Sequence, residues 1–374
     1  MVAKLFEPIV LRGVTARNRI VISPMCQYSA RDGIANEWHL VHLGKFAVGG
    51  VGIVFAEATA VVPEGRITHG DLGLWSDAHA QALKPLVAFQ KAQGAVPAIQ
   101  IGHAGRKASM ARPWYGNGPL GSADLARGDT PWPIVAPSPE PVGPGWLMPQ
   151  AMSAAAIAEL TRAFAAAAGR ADAAGFEALE IHGAHGYLIA SFLSPVSNHR
   201  NDGYGGDRAG RMRIALEVAA AVRTIWPASK PLFFRISTVD GAEGGWSVED
   251  SVALALELKA RGVDVVDCSS GGIAGSATAA GVKRRPGFQV PYAARLKRES
   301  GLATMAVGLI LDGPQAEAIL QAGDADLIAI GREALHDPFW ALHAAEALGV
   351  GPDFGLWPPQ YGWWLERRAA TTQR

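Results

Sequence analysis

The sequence is short of cysteine, of net charge and of long apolar runs. Only Cys26 and Cys268 occur in 374 residues, which excludes a disulfide framework and an iron–sulfur cluster. Lysine plus arginine (34) equals aspartate plus glutamate (34), so the basic surplus that binds nucleic acid or anionic membranes is missing. No apolar run reaches the roughly 18 residues of a membrane span. Met1 to Pro8 lacks the apolar segment of a signal peptide. A reducing cytoplasm is therefore the expected setting. No Gly-x-Gly-x-x-Gly follows the first strand and no His-Glu-x-x-His occurs, so neither the dinucleotide fingerprint nor the zinc-protease pattern is present.

What is present is a regular alternation. Short β-rich apolar runs predict strands at Arg19–Ser23, Gly52–Ala58, Val96–Ile101, Phe176–Ile181, Leu232–Ile236, Val263–Cys268, Thr304–Val307 and Asp326–Ile330. Helical stretches follow each one: Asn36–Val48, Ala78–Gln93, Ala154–Ala174, Arg208–Ile225, Val248–Arg261, Val290–Ser300, Gln315–Gln321 and Leu335–Leu348. The series predicts an α/β fold, a (β/α)8 TIM barrel, over an open doubly wound sheet. Ser247-Val248-Glu249-Asp250 reads as a capping box, and Asp312-Gly313-Pro314 opens another helix. The barrel is expected over residues 1–350. A stretch from His103 to Gln150 holds nine of the 24 prolines and is expected to be a capping insertion after strand three. Residues 351–374 are expected to be a tail, non-helical around Pro358-Pro359.

Strand carboxyl ends form the active face of a barrel. The fourth runs into His182-Gly183-Ala184-His185-Gly186-Tyr187, two imidazole donors and a phenol suited to a polarised carbonyl or nitro group. The same histidines could be structural or ligate a metal, as in a metal-dependent barrel hydrolase. Gly308, Gly331 and Arg332, at strands seven and eight, suit a phosphate. Gln100 and Arg235 would face inward and suit the pyrimidine edge of a flavin, unless Arg235 simply pairs with Asp267 or Glu180. With Lys107 as a catalytic lysine, a phosphate-binding aldolase or isomerase is a further alternative. Cys26 and Cys268 read first as small buried hydrophobes.

Taken together these residues resemble the Old Yellow Enzyme family of flavin-dependent ene-reductases. The resemblance runs through Leu5-Phe6-Glu7-Pro8, Asn18 to Met25, His182 to Leu188, Phe192-Leu193-Ser194-Pro195, Asn198, Arg200, Asp202, Tyr204-Gly205-Gly206 and Ile330-Gly331-Arg332. Cys26 with Tyr28 is similar to the bacterial thermophilic-like branch that includes xenobiotic reductase. Asp207 and Gly210 depart from the family's usual Ser and Asn. The resemblance implies FMN, with NADPH or NADH as reductant in a ping-pong hydride transfer through flavin N5. It implies cofactor contacts from Ser23, Pro24, Met25, Cys26, Ala58, Gln100, Arg235, Gly308, Gly331 and Arg332. It implies catalytic roles for His182, His185, Cys26 and the proton donor Tyr187, with Tyr28, His182 and His185 touching an α,β-unsaturated carbonyl or nitro substrate. The tail aromatics Trp357, Tyr361, Trp363 and Trp364 suggest a subunit interface, and the resemblance to the xenobiotic-reductase type implies a homodimer or higher even oligomer in which Trp364 lines the partner's pocket; the alternative is a tail folded onto its own barrel.

Overall fold

The apolar runs become eight parallel strands of one closed barrel in a computed structural model that describes residues 3–275 and 282–372. In chain order these are β1 (Ile20–Ile22), β2 (Ile53–Ala60), β3 (Val96–Gly102), β4 (Ala178–Gly183), β5 (Leu232–Ser237), β6 (Val265–Ser269), β7 (Ala303–Ala306) and β8 (Leu327–Ile330). Each pairs with its sequence neighbour, and β8 closes on β1 through Ala329 opposite Val21. Main helices follow: α1 (Glu37–Val48), α2 (Asp77–Ala92), α3 (Ala154–Ala174), α4 (Arg208–Ile225), α5 (Val248–Ala260), α6 (Val290–Ser300), α7 (Gly313–Gln321) and α8 (Trp340–Ala347).

The sequence punctuates these helices. Ser247 and Asp250 cap α5 reciprocally, and Asp312 accepts from Gln315 N at α7. Gly175 ends α3 in the left-handed region, φ +95°, where a side chain would be strained. The eighth helix, expected as Leu335–Leu348, is broken in two. A short helix Arg332–His336 precedes α8, and Asp337, at φ −128° and ψ 96°, is steered out of helical space by Pro338.

Inward side chains alternate along each strand. At the bottom Val21, Phe55, Ala98, Ala178, Phe233, Val265, Met305 and Leu327 form an apolar plug, completed by Ala16 of the amino-terminal hairpin Ile9–Leu11/Val14–Ala16. Two residues further along the same faces the interior turns polar, with Gln100, Glu180, Arg235 and Asp267, all buried. The larger apolar core lies between strands and helices.

The 103–150 segment has little regular structure: a helix Ser122–Ala126 and a parallel pairing of Val135–Ala136 with Gln150–Ala151. It rests on the loop after β2. Met110 N donates to Ile67 O (2.9 Å), Trp132 Nε1 to Glu64 O (3.0 Å), and His69 Nε2 meets Thr130 O (2.8 Å). The expectation for the tail is corrected, because Pro359–Thr372 forms α9. Proline is tolerated in a first helical turn, where its missing N–H has no partner to lose. Trp357 stacks on Phe339 (5.4 Å) and donates to Glu346 Oε1 (2.9 Å), and Tyr361 meets Phe339 edge-on (5.9 Å). Trp363 and Trp364 remain exposed. Among the described residues no helix is long and apolar enough to cross a membrane.

Candidate active site

The polar layer is a chain of hydrogen bonds and charge contacts. Gln100 Nε2 donates to Glu180 Oε1 at 2.7 Å. Arg235 Nε lies 3.1 Å from Asp267 Oδ2, and its Nη1 donates to Ser23 Oγ at 3.2 Å. The structural pairing expected of Arg235 is present, since Asp267 orients the guanidinium, and its far edge reaches the end of β1. Burial, then the charge of Asp267, raises the Glu180 carboxyl well above its usual range. Burial also raises Asp267, opposed by Arg235. Two carboxylates and one guanidinium in a dry interior call for one proton, and Glu180, without the direct guanidinium contact, is the group that holds it.

One strand turn higher stands the histidine motif. His182 and His185 pack at 5.1 Å between ring centroids, His182 and Tyr187 at 5.0 Å, His185 and Tyr187 at 6.5 Å, all edge-on. Burial, followed by the charge of Arg235, lowers both imidazoles well below their usual range, so they stand neutral. His182 Nδ1 accepts from Ala184 N (3.2 Å), which assigns the proton to Nε2 as the free donor. His185 sits at φ +61°. Its N–H donates to Ser237 Oγ (2.8 Å), and its Nε2 meets Ser269 Oγ (2.7 Å). A hydroxyl donating to Nε2 leaves the second donor on Nδ1. Burial raises the Tyr187 phenol well above its usual range, so it keeps its proton.

The segment after β1 closes one side. Cys26 is half-buried, and burial, then Glu57 and Asp71, holds its thiol protonated. Tyr28, at φ +52°, meets Trp114 edge-on at 5.9 Å. A register shift between Ala56 and Ala58 turns Glu57 out of the ladder, where it meets His39 Nε2 (3.1 Å) and accepts from Gln27 N. Asp71 accepts from Ile67 N and Thr68 N, and burial raises its carboxyl to about 7. It lines one recess with Ala58, His103, His182 and Tyr187. A second recess is lined by Gly308, Leu309, Gly331 and Arg332. Trp364, 66% exposed on α9, lines neither.

Sequence reasoning missed Ser237, Ser269, Asp71 and the His39–Glu57 pair. Ser237 and Ser269 each follow an inward residue of their strand by two places, which was a legible signal. Asp71 carried none. The lysine alternative meets an obstacle in Lys107, which is buried and engaged with main-chain oxygens. Among the described residues no group of three or more His, Cys, Asp or Glu is arranged to hold a metal ion.

The family described as NADH:flavin oxidoreductase / NADH oxidase matches residues 4–349. An NADPH dehydrogenase of Geobacillus sp. (strain WCH70) is 45% identical over 352 residues, covering 94% of this chain and 96% of its own. An NADPH dehydrogenase of Bacillus subtilis (strain 168) is 43% identical with the same coverage. Among solved structures, morphinone reductase superposes with a TM-score of 0.76 at 24% identity, over 94% of this chain and 91% of that one. A 2-naphthoyl-CoA reductase complex superposes at 0.82 with 24% identity, over 94% of this chain and 53% of its own. At those identities the solved structures speak to the fold.

Proposed function

Because the chain belongs to the NADH:flavin oxidoreductase / NADH oxidase family, which includes the Old Yellow Enzymes, and is an FMN-dependent oxidoreductase using NADPH, we propose that its acceptor is an activated alkene, an α,β-unsaturated carbonyl or nitro compound.

The residues fit FMN. Arg235 presents a buried guanidinium whose Nη1 edge, beyond the Nε that faces Asp267, reaches Ser23 Oγ at the end of β1, and Gln100 stands in the same layer with its carboxamide oriented by Glu180. A cation and an amide are what the pyrimidine edge of a flavin asks for. A Cβ built on Gly331 would meet only Met25 Sδ, at 3.8 Å, so backbone is open to an anion beside Arg332 and Gly308. Ser23, Pro24, Met25, Cys26 and Ala58 supply the wall. FMN, when bound, relays hydride from the nicotinamide to the acceptor.

The chain's own part follows from the neutral imidazoles. His182 Nε2–H and His185 donate to the acceptor's carbonyl or nitro oxygen and stabilise the negative charge that gathers there; such donors are worth on the order of 3 kcal/mol each. Tyr187 gives its proton to the α-carbon. Tyr28 and the Cys26 thiol bound the acceptor from the β1 side. A second copy of the chain contributes Trp364, whose exposure and absence from the lining of its own recesses support a partner's use of it.

The observation that carries this reading is the edge-on trio His182, His185 and Tyr187, all neutral and all at the barrel mouth. The test is product analysis. Reducing 2-cyclohexenone with NADPH in deuterium oxide should place one solvent deuterium at the α-carbon and none at the β-carbon. Solvent label at the β-carbon, or no alkene reduction across a panel of enones, maleimides and nitroalkenes, contradicts it.

A further inference from the structure

Lys107 follows β3 in the turn Gly105–Lys107, and its side chain is wholly buried. Among the described residues no carboxylate pairs with it. Its Nζ donates to two main-chain oxygens, His185 O at 2.8 Å and Gly272 O. An ammonium in such a place carries a desolvation cost, and burial, then the neighbouring Arg106, lowers its pKa to about 7. Nothing in the chemistry described above uses it.

The two oxygens show what it holds together. His185 and Gly272 both lie at positive φ, +61° and +90°. Their loops touch through backbone: a Cβ on Gly186 would meet Gly272 O at 2.2 Å, and one on Gly272 would meet His185 Cα at 2.7 Å. Two carbonyl dipoles converging on one point repel unless a cation stands between them. Ser237 ties the same knot from β5, accepting from His185 N and donating to Gly271 O at 2.7 Å. Left-handed backbone costs a non-glycine residue free energy and persists only where its surroundings enforce it.

We propose that Lys107 is a positioning residue for His185: its buried ammonium clamps the β4 loop to the β6 loop and so fixes the left-handed turn that aims the second imidazole. The inference rests on the reading of His182 and His185 as holders of the acceptor oxygen. The same clamp leaves the ammonium 5.9 Å from the Tyr187 ring and contributes to keeping both imidazoles neutral.

The experiment uses the FMN-loaded full chain as wild type, Lys107→Met, Lys107→Gln, His185→Ala and the Lys107→Met/His185→Ala double variant. Two quantities are read: amide hydrogen exchange by mass spectrometry, and binding of 4-chlorophenol from the flavin spectrum. Lys107→Met should raise exchange in segments 183–188 and 269–275 and leave the barrel strands protected. It should weaken 4-chlorophenol about tenfold, the scale of a lost hydrogen bond to a charged group. Lys107→Gln, able to reach one oxygen, should fall between. In the His185→Ala background Lys107→Met should cost no further affinity, because it acts through that side chain. Unchanged exchange in the two segments, exchange rising throughout the barrel, or an undiminished affinity loss without His185 overturns the proposal. If His185→Ala binds 4-chlorophenol like wild type, the oxygen-holding reading fails, and the local exchange still decides the clamp.

Discussion

Asp267 holds Arg235 from below: Oδ2 lies 3.1 Å from Nε, which leaves Nη1 to reach Ser23 Oγ at the mouth. The pair converts a layer of the barrel core into one rigid positive edge. Glu180, registered opposite Gln100 on β3, completes the layer as a neutral acid.

That charge arrangement predicts an asymmetry. Glu180→Gln should change stability by less than about 1 kcal/mol, since it preserves both neutrality and an acceptor for Gln100. Asp267→Asn should cost about 1–3 kcal/mol, softened because Glu180 can release its proton to balance Arg235. The double variant, leaving Arg235 unpaired, should lose about 3–5 kcal/mol and release FMN. Urea unfolding and flavin content check this, and strict additivity of the two single costs would contradict it.

Tyr187→Phe should leave reduction of FMN by NADPH near its wild-type rate. It should slow reoxidation by an enone about 10²- to 10⁴-fold, the usual worth of a general acid. Stopped-flow measurement of the two half-reactions separates them. Equal slowing of both would mean a binding role, and an unaltered oxidative rate would mean another acid.

On the proposed reading of the protonated thiol as a donor and a contact and not a nucleophile, Cys26→Ala should shift the flavin midpoint potential and the order of preferred acceptors while turnover persists. Potentiometry and a substrate panel check it. Inactivity at full FMN content would reverse that assignment.

The contribution of His103 and His42 to stability should fall with acid between about pH 6.5 and pH 4, opposed in that window by Asp71, whose carboxyl burial raises to about 7. Burial lowers His103 to about 4, and burial, then Lys45 and His39, lowers His42 to about 4. The unfolded chain takes up these protons near 6.5 while the folded chain refuses them until about 4, so their contribution falls as pH drops through that window. His103→Gln should flatten the slope of stability against pH by about one proton. A slope unchanged by the variant would place the acid sensitivity elsewhere.

On the proposal that Trp364 completes a second copy's pocket, truncation before Trp357 should lower the mass seen by light scattering and raise the Michaelis constant for enones. A truncated chain of unchanged mass and kinetics would rule out a shared site and leave the tail as a cover for Phe339.

The barrel was legible because its two signals reinforce each other: apolar runs of strand length and caps such as Ser247/Asp250 at helix starts. His182, His185 and Tyr187 were legible because local sequence alone brings them together. Asp71 and the clamping contacts of Lys107 were not, since each acquires its meaning from a neighbour far away in the chain. Lys107 meets Gly272 across 165 positions, a contact no local pattern encodes. The tail helix is not legible because Pro358-Pro359 reads as a helix breaker, whereas a proline in the first turn is compatible with a helix.

The most direct test of the central claim is an anaerobic double-mixing experiment on the FMN-loaded protein. NADPH should bleach the flavin absorbance, and 2-cyclohexenone added afterwards should restore it in a single phase with stoichiometric saturated ketone. A flavin that NADPH reduces but that no enone or nitroalkene reoxidises would contradict it.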